Sequence, residues 1–229
     1  MSRRWHSASC AEPGCPRWPG SVRRAAANSP PSRRPWLRGE RVAATAYLDL
    51  ITQFVEAQPA SSSLDRDACL ALAARALAHR GRTDDGKRLF ESGASLQAPP
   101  TLEALCEVAA AQEDWAVALE VVASARLQAE ISEAVALPLF ADRLEGRLAA
   151  AEGEPRRAAL LLRRSAGGFA ELGAQWEEGW SRQLLAEALI QLGDEKEARR
   201  ERDSARAVFE RLGSVVEHER AKALVASAT

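Results

Sequence analysis

The chain has 229 residues, of which 46% are hydrophobic and 28% charged, and its formal net charge is −1. These values are ordinary for a globular protein with a buried core, and the 4 cysteines give no sign of a disulfide framework. No apolar run is long enough for a transmembrane helix, so none is expected.

Charge is distributed unevenly along the chain. Residues 1–41 carry nine arginines against Glu12 and Glu40, a net charge of +7, while the remainder has a net charge of −8. Phosphate contacts need clustered positive charge, so nucleic-acid binding through the remainder is not expected. The arginine-rich start is not followed by an apolar stretch, so it is not a secretory signal, and the cytoplasm is the expected compartment.

Residues 1–39 are rich in Arg, Pro, Ser and Gly and show no helical or strand period, which predicts a disordered basic tail. Cys10 and Cys15 lie near His6, but no second Cys/His pair follows, so no metal site is predicted. Two alternatives stay open for the tail. It is an upstream extension from a misplaced start codon, or its arginines and tryptophans contact nucleic acid or an acidic surface.

From residue 40 onward the sequence predicts only helices. Val42, Ala46, Leu50 and Phe54 lie four residues apart and form one apolar stripe that ends before Pro59. Further helices are predicted over residues 64–78, 84–96, 101–111, 115–130, 133–152, 155–172, 174–192, 195–212 and 215–226. The expected fold is all-α with about ten helices, and residues 40–229 form one domain.

Capping residues support several of these boundaries. Thr101, Asp114 and Ser132 are expected to begin helices, and prolines fall in the first turns of others. Two capping boxes are predicted, one joining Asp194 to Glu197 and the other joining Ser214 to Glu217. In the last helix, the charged residues are expected to face solvent; these are Glu217, Glu219, Arg220 and Lys222.

The helical region repeats itself. The stretch 153–158 recurs in kind at 193–198, and 169–173 recurs at 209–213, both forty residues later. Related stretches occur at 112–118 and 80–86. A constant period of this size predicts stacked helical hairpins rather than one interleaved core.

Small residues recur at fixed distances from each turn between paired helices, as close helix packing requires. Seven positions before the turn are Ala74, Cys106, Gly146 and Ala186. Five positions after it are Gly86, Ala118, Ala158 and Ala198, and twelve after it are Gly93, Ala125, Ser165 and Ala205.

This pattern resembles the tetratricopeptide repeat (TPR) over roughly residues 64–225, with a longer period and without the closing proline. Its long form, with Phe-x-x-Leu-Gly closing the second helix, is similar to the C-terminal repeats of bacterial multidomain ATPase regulators. These include LuxR-type transcription regulators and adenylate cyclase–ATPase fusions. The resemblance implies a right-handed TPR-like solenoid and a regulatory or scaffolding role.

Motifs for catalysis or cofactor binding are missing from the sequence. Neither the P-loop nor the dinucleotide-binding glycine pattern occurs. His6, His79 and His218 fall in separate elements, and no motif places a nucleophile beside them. Glu171, Glu177, Glu178 and Glu187 are interpreted as surface charges. We therefore expect neither an enzyme nor a cofactor.

The strongest candidates for partner binding lie on the helix predicted over 174–192. Trp176 and Trp180 are four residues apart, and tryptophan is enriched at interface hot spots. One ring is predicted to anchor a partner in a concave groove, with a polar rim formed by Glu178, Arg182, Gln183 and Glu187. In the alternative interpretation, both rings pack against the helix over 155–172.

The sequence thus predicts a non-catalytic module that binds a protein or peptide in a groove. The groove would be lined by the first helices of the pairs, around residues 66–79, 103–111, 136–150 and 176–190. Two alternatives stay open. The chain is a C-terminal fragment of a larger signalling ATPase or transcriptional regulator, or it is a homo-oligomer in which a second copy fills the groove.

Overall fold

The computed structural model describes residues 64–79, 81–91 and 97–223. The predicted basic tail, the predicted first helix over residues 42–58 and the small residue Gly93 lie outside these described residues. Within them the protein is all-helical and contains no strand, which confirms the predicted fold class.

Nine helices make up the described residues. They are α1 (Leu64–His79), α2 (Thr83–Glu91), α3 (Pro99–Gln112), α4 (Trp115–Ser132), α5 (Leu137–Ala151), α6 (Pro155–Glu171), α7 (Gln175–Gln191), α8 (Glu195–Leu212) and α9 (Val215–Ala223).

The turns that end α5 to α8 share one backbone geometry. Each has a glycine with φ between 67° and 77°, a left-handed conformation that glycine adopts without steric cost; these are Gly153, Gly173, Gly193 and Gly213. The amide after the glycine then donates to a carbonyl in the last helical turn, as from Ala174 to Phe169 at 2.9 Å. The repeated glycine therefore fixes where each of these helices stops.

Two helix boundaries differ from the sequence prediction. Ser132 was expected to cap α5, but it is the last residue of α4 and its hydroxyl donates to the carbonyl of Gln128 at 2.7 Å. The α5 helix begins at Leu137, with Pro138 in its first turn. Similarly, α3 begins at Pro99, so Thr101 lies buried inside the helix instead of capping it.

The predicted caps at α4 and α8 are confirmed. The Asp114 side chain accepts a hydrogen bond from the Val117 amide at 3.2 Å, and Asp194 accepts one from the Glu197 amide at 3.1 Å. Ser214 donates to the Glu217 carboxylate at 2.5 Å, which holds that carboxylate against the start of α9. Glu217 is therefore buried, and the prediction that it faces solvent is wrong.

Each helix packs against the helix that follows it in the chain, and α1, α3, α5 and α7 also contact one another in that order. Apolar side chains fill the spaces between neighbouring helices. One cluster joins α3, α4, α5 and α6 around Leu144 and Phe169, and a second joins α5, α6, α7 and α8 around Leu162 and Leu185.

The small residues fall at the close approaches between helices. All the predicted positions in the described residues are buried. A Cβ atom on Gly86 would lie 3.1 Å from the Ala74 carbonyl oxygen, and one on Gly146 would lie 2.8 Å from the Leu162 side chain. The spacing inferred from sequence therefore predicted real contacts between α1 and α2 and between α5 and α6.

Candidate functional site

A cluster of charged and aromatic side chains occupies the space between α1, α3, α5 and α7. Each helix contributes residues four positions apart, which places them on one helix face. The members of this charged cluster are Arg75 and His79 from α1, Glu103 and Glu107 from α3, Arg143 and Arg147 from α5, and Trp176, Glu177, Trp180 and Ser181 from α7.

Arg143 lies at the centre of the charged cluster and is only 1% exposed. Its Nε donates to Glu107 at 3.0 Å and its Nη2 donates to Glu177 at 2.7 Å. The guanidinium also lies 4.8 Å from the ring centre of Phe140 and 5.2 Å from that of Phe169. Two carboxylates and two ring faces thus compensate the loss of water around this charge.

Helices α1 and α7, the first and last of the four helices around the charged cluster, also meet through side chains. Arg75 on α1 donates to the Glu177 carboxylate on α7, and its guanidinium lies 4.9 Å from the Phe140 ring centre. The His79 ring meets Trp176 and Trp180 edge to face, with ring centres 5.9 Å and 5.3 Å apart. These contacts link residues that are about a hundred positions apart in the chain.

The electrostatics of the charged cluster fix its protonation state. Burial lowers the pKa of His79 despite the nearby carboxylates, so the imidazole is neutral at physiological pH. Burial alone would raise the pKa of Glu177, but Arg75 and Arg143 outweigh it and lower that pKa to about 2. The pKa of Glu107 is lowered in the same way, against its burial, chiefly by Arg143.

These protonation states restrict the chemistry of the cluster. Glu107 and Glu177 are ionised and already bound by arginines, so they are poor proton acceptors. Burial raises the pKa of the neighbouring Cys106 thiol, which keeps it protonated and weakly nucleophilic. The arrangement is suited to holding helices together and to polar recognition.

Two members of the charged cluster differ from the rest. Among the described residues, neither Arg147 nor Glu103 makes an ion pair or a side-chain hydrogen bond, although both are half-buried. Burial lowers the pKa of Arg147 and raises that of Glu103, because nearby opposite charges do not fully offset the lost hydration. These two side chains retain unused capacity to bind a polar partner.

The structure distributes the predicted site residues over different sides of α7. Trp176 and Trp180 belong to the charged cluster, and Trp176 also packs 5.5 Å from the Phe209 ring of α8. Trp180 packs beside the apolar cluster that joins α5 to α8, which includes residues of the helix named in the alternative interpretation.

The predicted polar rim does not form a continuous edge. Arg182 donates to Glu178 at 2.9 Å and to Glu201 of α8 at 2.7 Å, so this pair faces α8. Gln183 is buried. Glu187 is half-buried and acts electrostatically on Arg147 of α5.

The central arginine and its partners were missed in the sequence. Glu177 was interpreted as a surface charge, but its side chain is only 13% exposed. The repeat pattern gave a partial signal, because the position six residues before each turn alternates in charge through Arg75, Glu107, Arg147 and Glu187. This series includes Arg75 and Glu107 of the charged cluster, but neither Arg143 nor Glu177.

Apart from the charged cluster, a concavity with a volume of about 240 Å³ lies between α2, α3 and α4. Its lining is mostly apolar and includes Phe90, Leu105, Val108 and Val117. It holds no concentration of titratable groups comparable with the charged cluster.

No group of at least three His, Cys, Asp or Glu side chains is placed to hold a metal ion in the described ranges. None of the described helices combines the length and apolarity needed to cross a membrane. Comparison with protein-family models, curated proteins and solved structures gave no match in any of the three.

Proposed function

We propose that the protein is a non-catalytic interaction module, built as a TPR-like stack of helix hairpins, which binds a protein partner along the face shared by α1, α3, α5 and α7. The resemblance of its repeats to those of multidomain ATPase regulators supports a role in regulation or scaffolding. The contacts between successive helices support the stacked architecture.

One observation carries this proposal. Arg143 at the centre of the charged cluster is bound by two carboxylates, whereas half-buried Arg147 and Glu103 beside it make no ion pair with a described residue. A partner that supplies a carboxylate to Arg147 and a hydrogen-bond donor to Glu103 would gain charge-assisted hydrogen bonds on a preformed surface. Trp176 and Trp180 would add aromatic contact area at the same place.

The experiment begins with capture of the partner by a photo-reactive amino acid in cells that naturally make the protein. The photo-reactive amino acid replaces Trp176 in one variant and, as a control, exposed Arg206 of α8 in another. A protein cross-linked from position 176 but not from position 206 is then purified.

The affinity of the captured protein is then measured for this chain and for its Arg147→Met and Glu103→Gln variants. Each variant is expected to weaken binding about tenfold, the loss of roughly one charge-assisted hydrogen bond. Arg199→Met on the exposed side of α8 is the matched control. Equal affinities for all the variants and the unmodified chain would contradict binding at this face.

A further inference from the structure

The outer side of α4 is apolar in a way that the fold does not require. The inner side packs Ala118, Val121, Val122 and Ala125 into the core, as expected for a helix between α3 and α5. The outer side carries Leu119, Leu127 and Ile131, which are 55%, 60% and 67% exposed. Together with exposed Ala123 these residues are spaced by four and form one stripe, which we call the α4 surface.

Another helix of the same molecule shows how an outer side is ordinarily built. The exposed positions of α8 are all charged or polar, from Glu195 to Arg211. Large apolar side chains grouped on the exposed side of a helix commonly mark an interaction surface. The exposed α4 surface therefore indicates that something outside the described residues covers it.

The charges that border the α4 surface indicate what kind of partner it binds. Glu120 and Glu130 are exposed and border the α4 surface, and neither makes an ion pair with another described residue. The one basic residue of α4, Arg126, is bound by Asp142 and Glu145 of α5 at 2.9 Å and 2.5 Å. The rim of the α4 surface is consequently acidic without compensation.

This charge pattern disfavours a second copy of the chain. In either orientation, pairing two copies through the α4 surface gathers four glutamates around one interface, and the only basic residue of α4 is already bound within each copy. Like charges brought close together in this way are destabilising.

We propose that the α4 surface is a docking site for a basic amphipathic helix of another protein. Its apolar residues, spaced by three and four, would lie along Leu119, Ala123, Leu127 and Ile131, and its flanking lysines or arginines would face Glu120 and Glu130. The stripe runs from Leu119 to Ile131, thirteen residues or about 18 Å of helix, which matches a partner helix of about four turns. This site is separate from the charged cluster, to which α4 contributes no side chain.

The test uses the full chain and two synthetic peptides of about five helical turns. Both carry the same leucine stripe, one with lysine and arginine flanks and the other with glutamate flanks. Fluorescence anisotropy is expected to show binding of the basic peptide that is at least about tenfold tighter than that of the acidic peptide. Hydrogen exchange in the complex is expected to show protection of α4.

Variants assign the binding to the α4 surface. The double variant Leu127→Gln with Ile131→Gln is expected to weaken binding of the basic peptide by about tenfold or more, because both apolar anchors are lost. Val215→Gln on α9 replaces an equally exposed apolar residue and should leave the affinity unchanged. Glu120→Lys with Glu130→Lys should transfer the preference to the acidic peptide.

Several outcomes would overturn the proposal. If the Leu127 and Ile131 substitutions leave the peptide affinity unchanged, the peptide binds elsewhere. Light scattering that finds a dimer, which Leu127→Gln dissociates, assigns the surface to a second copy. Arg147→Met should leave peptide binding unchanged, so failure here is distinguishable from failure of the proposed partner site in the charged cluster.

Discussion

Arg143 shows how one buried charge is made tolerable in this protein. Its guanidinium is bound by carboxylates from α3 and α7 and lies against two phenylalanine rings. Arg147, one turn further along α5, is half-buried without an ionic partner among the described residues. The two arginines therefore form a natural comparison between a compensated and an uncompensated charge on the same helix.

We expect Arg143→Met to destabilise the fold by about 3–5 kcal/mol, because it leaves Glu107 and Glu177 buried with reduced compensation. The matched change Arg147→Met should be neutral or slightly stabilising, since it removes a desolvated charge that has no close partner. Urea unfolding followed by circular dichroism measures both. Equal losses of unfolding free energy in the two variants would contradict the conclusion that Arg143 is paired and Arg147 is not.

His79 makes stability depend on pH near neutrality. Burial lowers its pKa in the folded protein, so the unfolded chain takes up its proton at a higher pH than the folded protein does, near the ordinary histidine pKa of about 6.5. Because the unfolded state binds more protons there, the free energy of unfolding should decrease as the pH falls from about 7.5 to about 5.5. The decrease should be smaller in His79→Gln, measured by urea midpoints at both pH values.

Other groups of the charged cluster do not reproduce this effect. Glu177, with a pKa of about 2, stays ionised in this range, and its stabilising contribution is lost only as the pH falls below about 4.5. Burial raises the pKa of Glu103, so its protonation favours the folded state as the pH falls. A pH dependence in His79→Gln as steep as in the unmodified chain would refute the role of the imidazole.

The sequence predicted part of the candidate site at residue level. Trp176 and Trp180 were found because large aromatic side chains are conspicuous on a helix of small and charged residues. Arg143 and Glu107 were not found, because a charged residue on a helix is usually solvated and only tertiary contact reveals that it is buried. Partner binding by the predicted residues stays a prediction.

At the scale of the element, small residues decide how closely paired helices approach. Ala198 on α8 is 3% exposed and packs in the apolar cluster with Leu184 and Leu185 of α7. The equivalent positions in the other pairs are also small and buried; they are Gly86, Ala118 and Ala158. The helix interface at this position has no room for a larger side chain.

Ala198→Trp should therefore destabilise the protein by about 1–3 kcal/mol or more, through overpacking between α7 and α8. Ala170→Trp is the matched control, because Ala170 is exposed on α6. Thermal unfolding measures the difference between the two. An unchanged melting temperature for Ala198→Trp would contradict the close contact.

Element boundaries were predicted well where glycine or a capping carboxylate marks them and poorly elsewhere. The end of α4 was misplaced because Glu133, with φ of 55°, makes the left-handed turn that glycine makes elsewhere. Nothing in the sequence distinguishes this glutamate from one inside a helix. Glu113 ends α3 with the same φ of 55°, but there the repeat at 112–118 marked the turn, and the predicted helix end at 111 is one residue short of Gln112.

At the scale of the whole molecule, the described helices combine local packing with a long-range link between α1 and α7. Most contacts join helices that are adjacent in the chain or one pair apart. The link from α1 to α7, through Arg75 with Glu177 and His79 with the two tryptophans, is the exception. The repeat period predicted the local contacts, but it could not predict a contact across four helices of the same face.

Removal of this link should loosen the first hairpin more than the rest. In Arg75→Gln with His79→Ala, amide hydrogen exchange in α1 is expected to accelerate by about tenfold, while exchange in α8 changes little. Arg163→Gln, which removes an exposed ion pair with Glu197 on α8, is the control. A uniform acceleration in all helices would show that the link supports global stability instead.

The attachment of Arg143 to both α3 and α7 has a consequence for evolutionary change in this chain. Glu177 also accepts a hydrogen bond from Arg75, so loss of Arg143 leaves Glu107 as the buried carboxylate with no arginine bonded to it. In an alignment of orthologues, we expect the positions of Glu107 and Arg143 to be inherited as a co-varying pair. Lineages that discard the pair should replace both residues with apolar residues of similar volume.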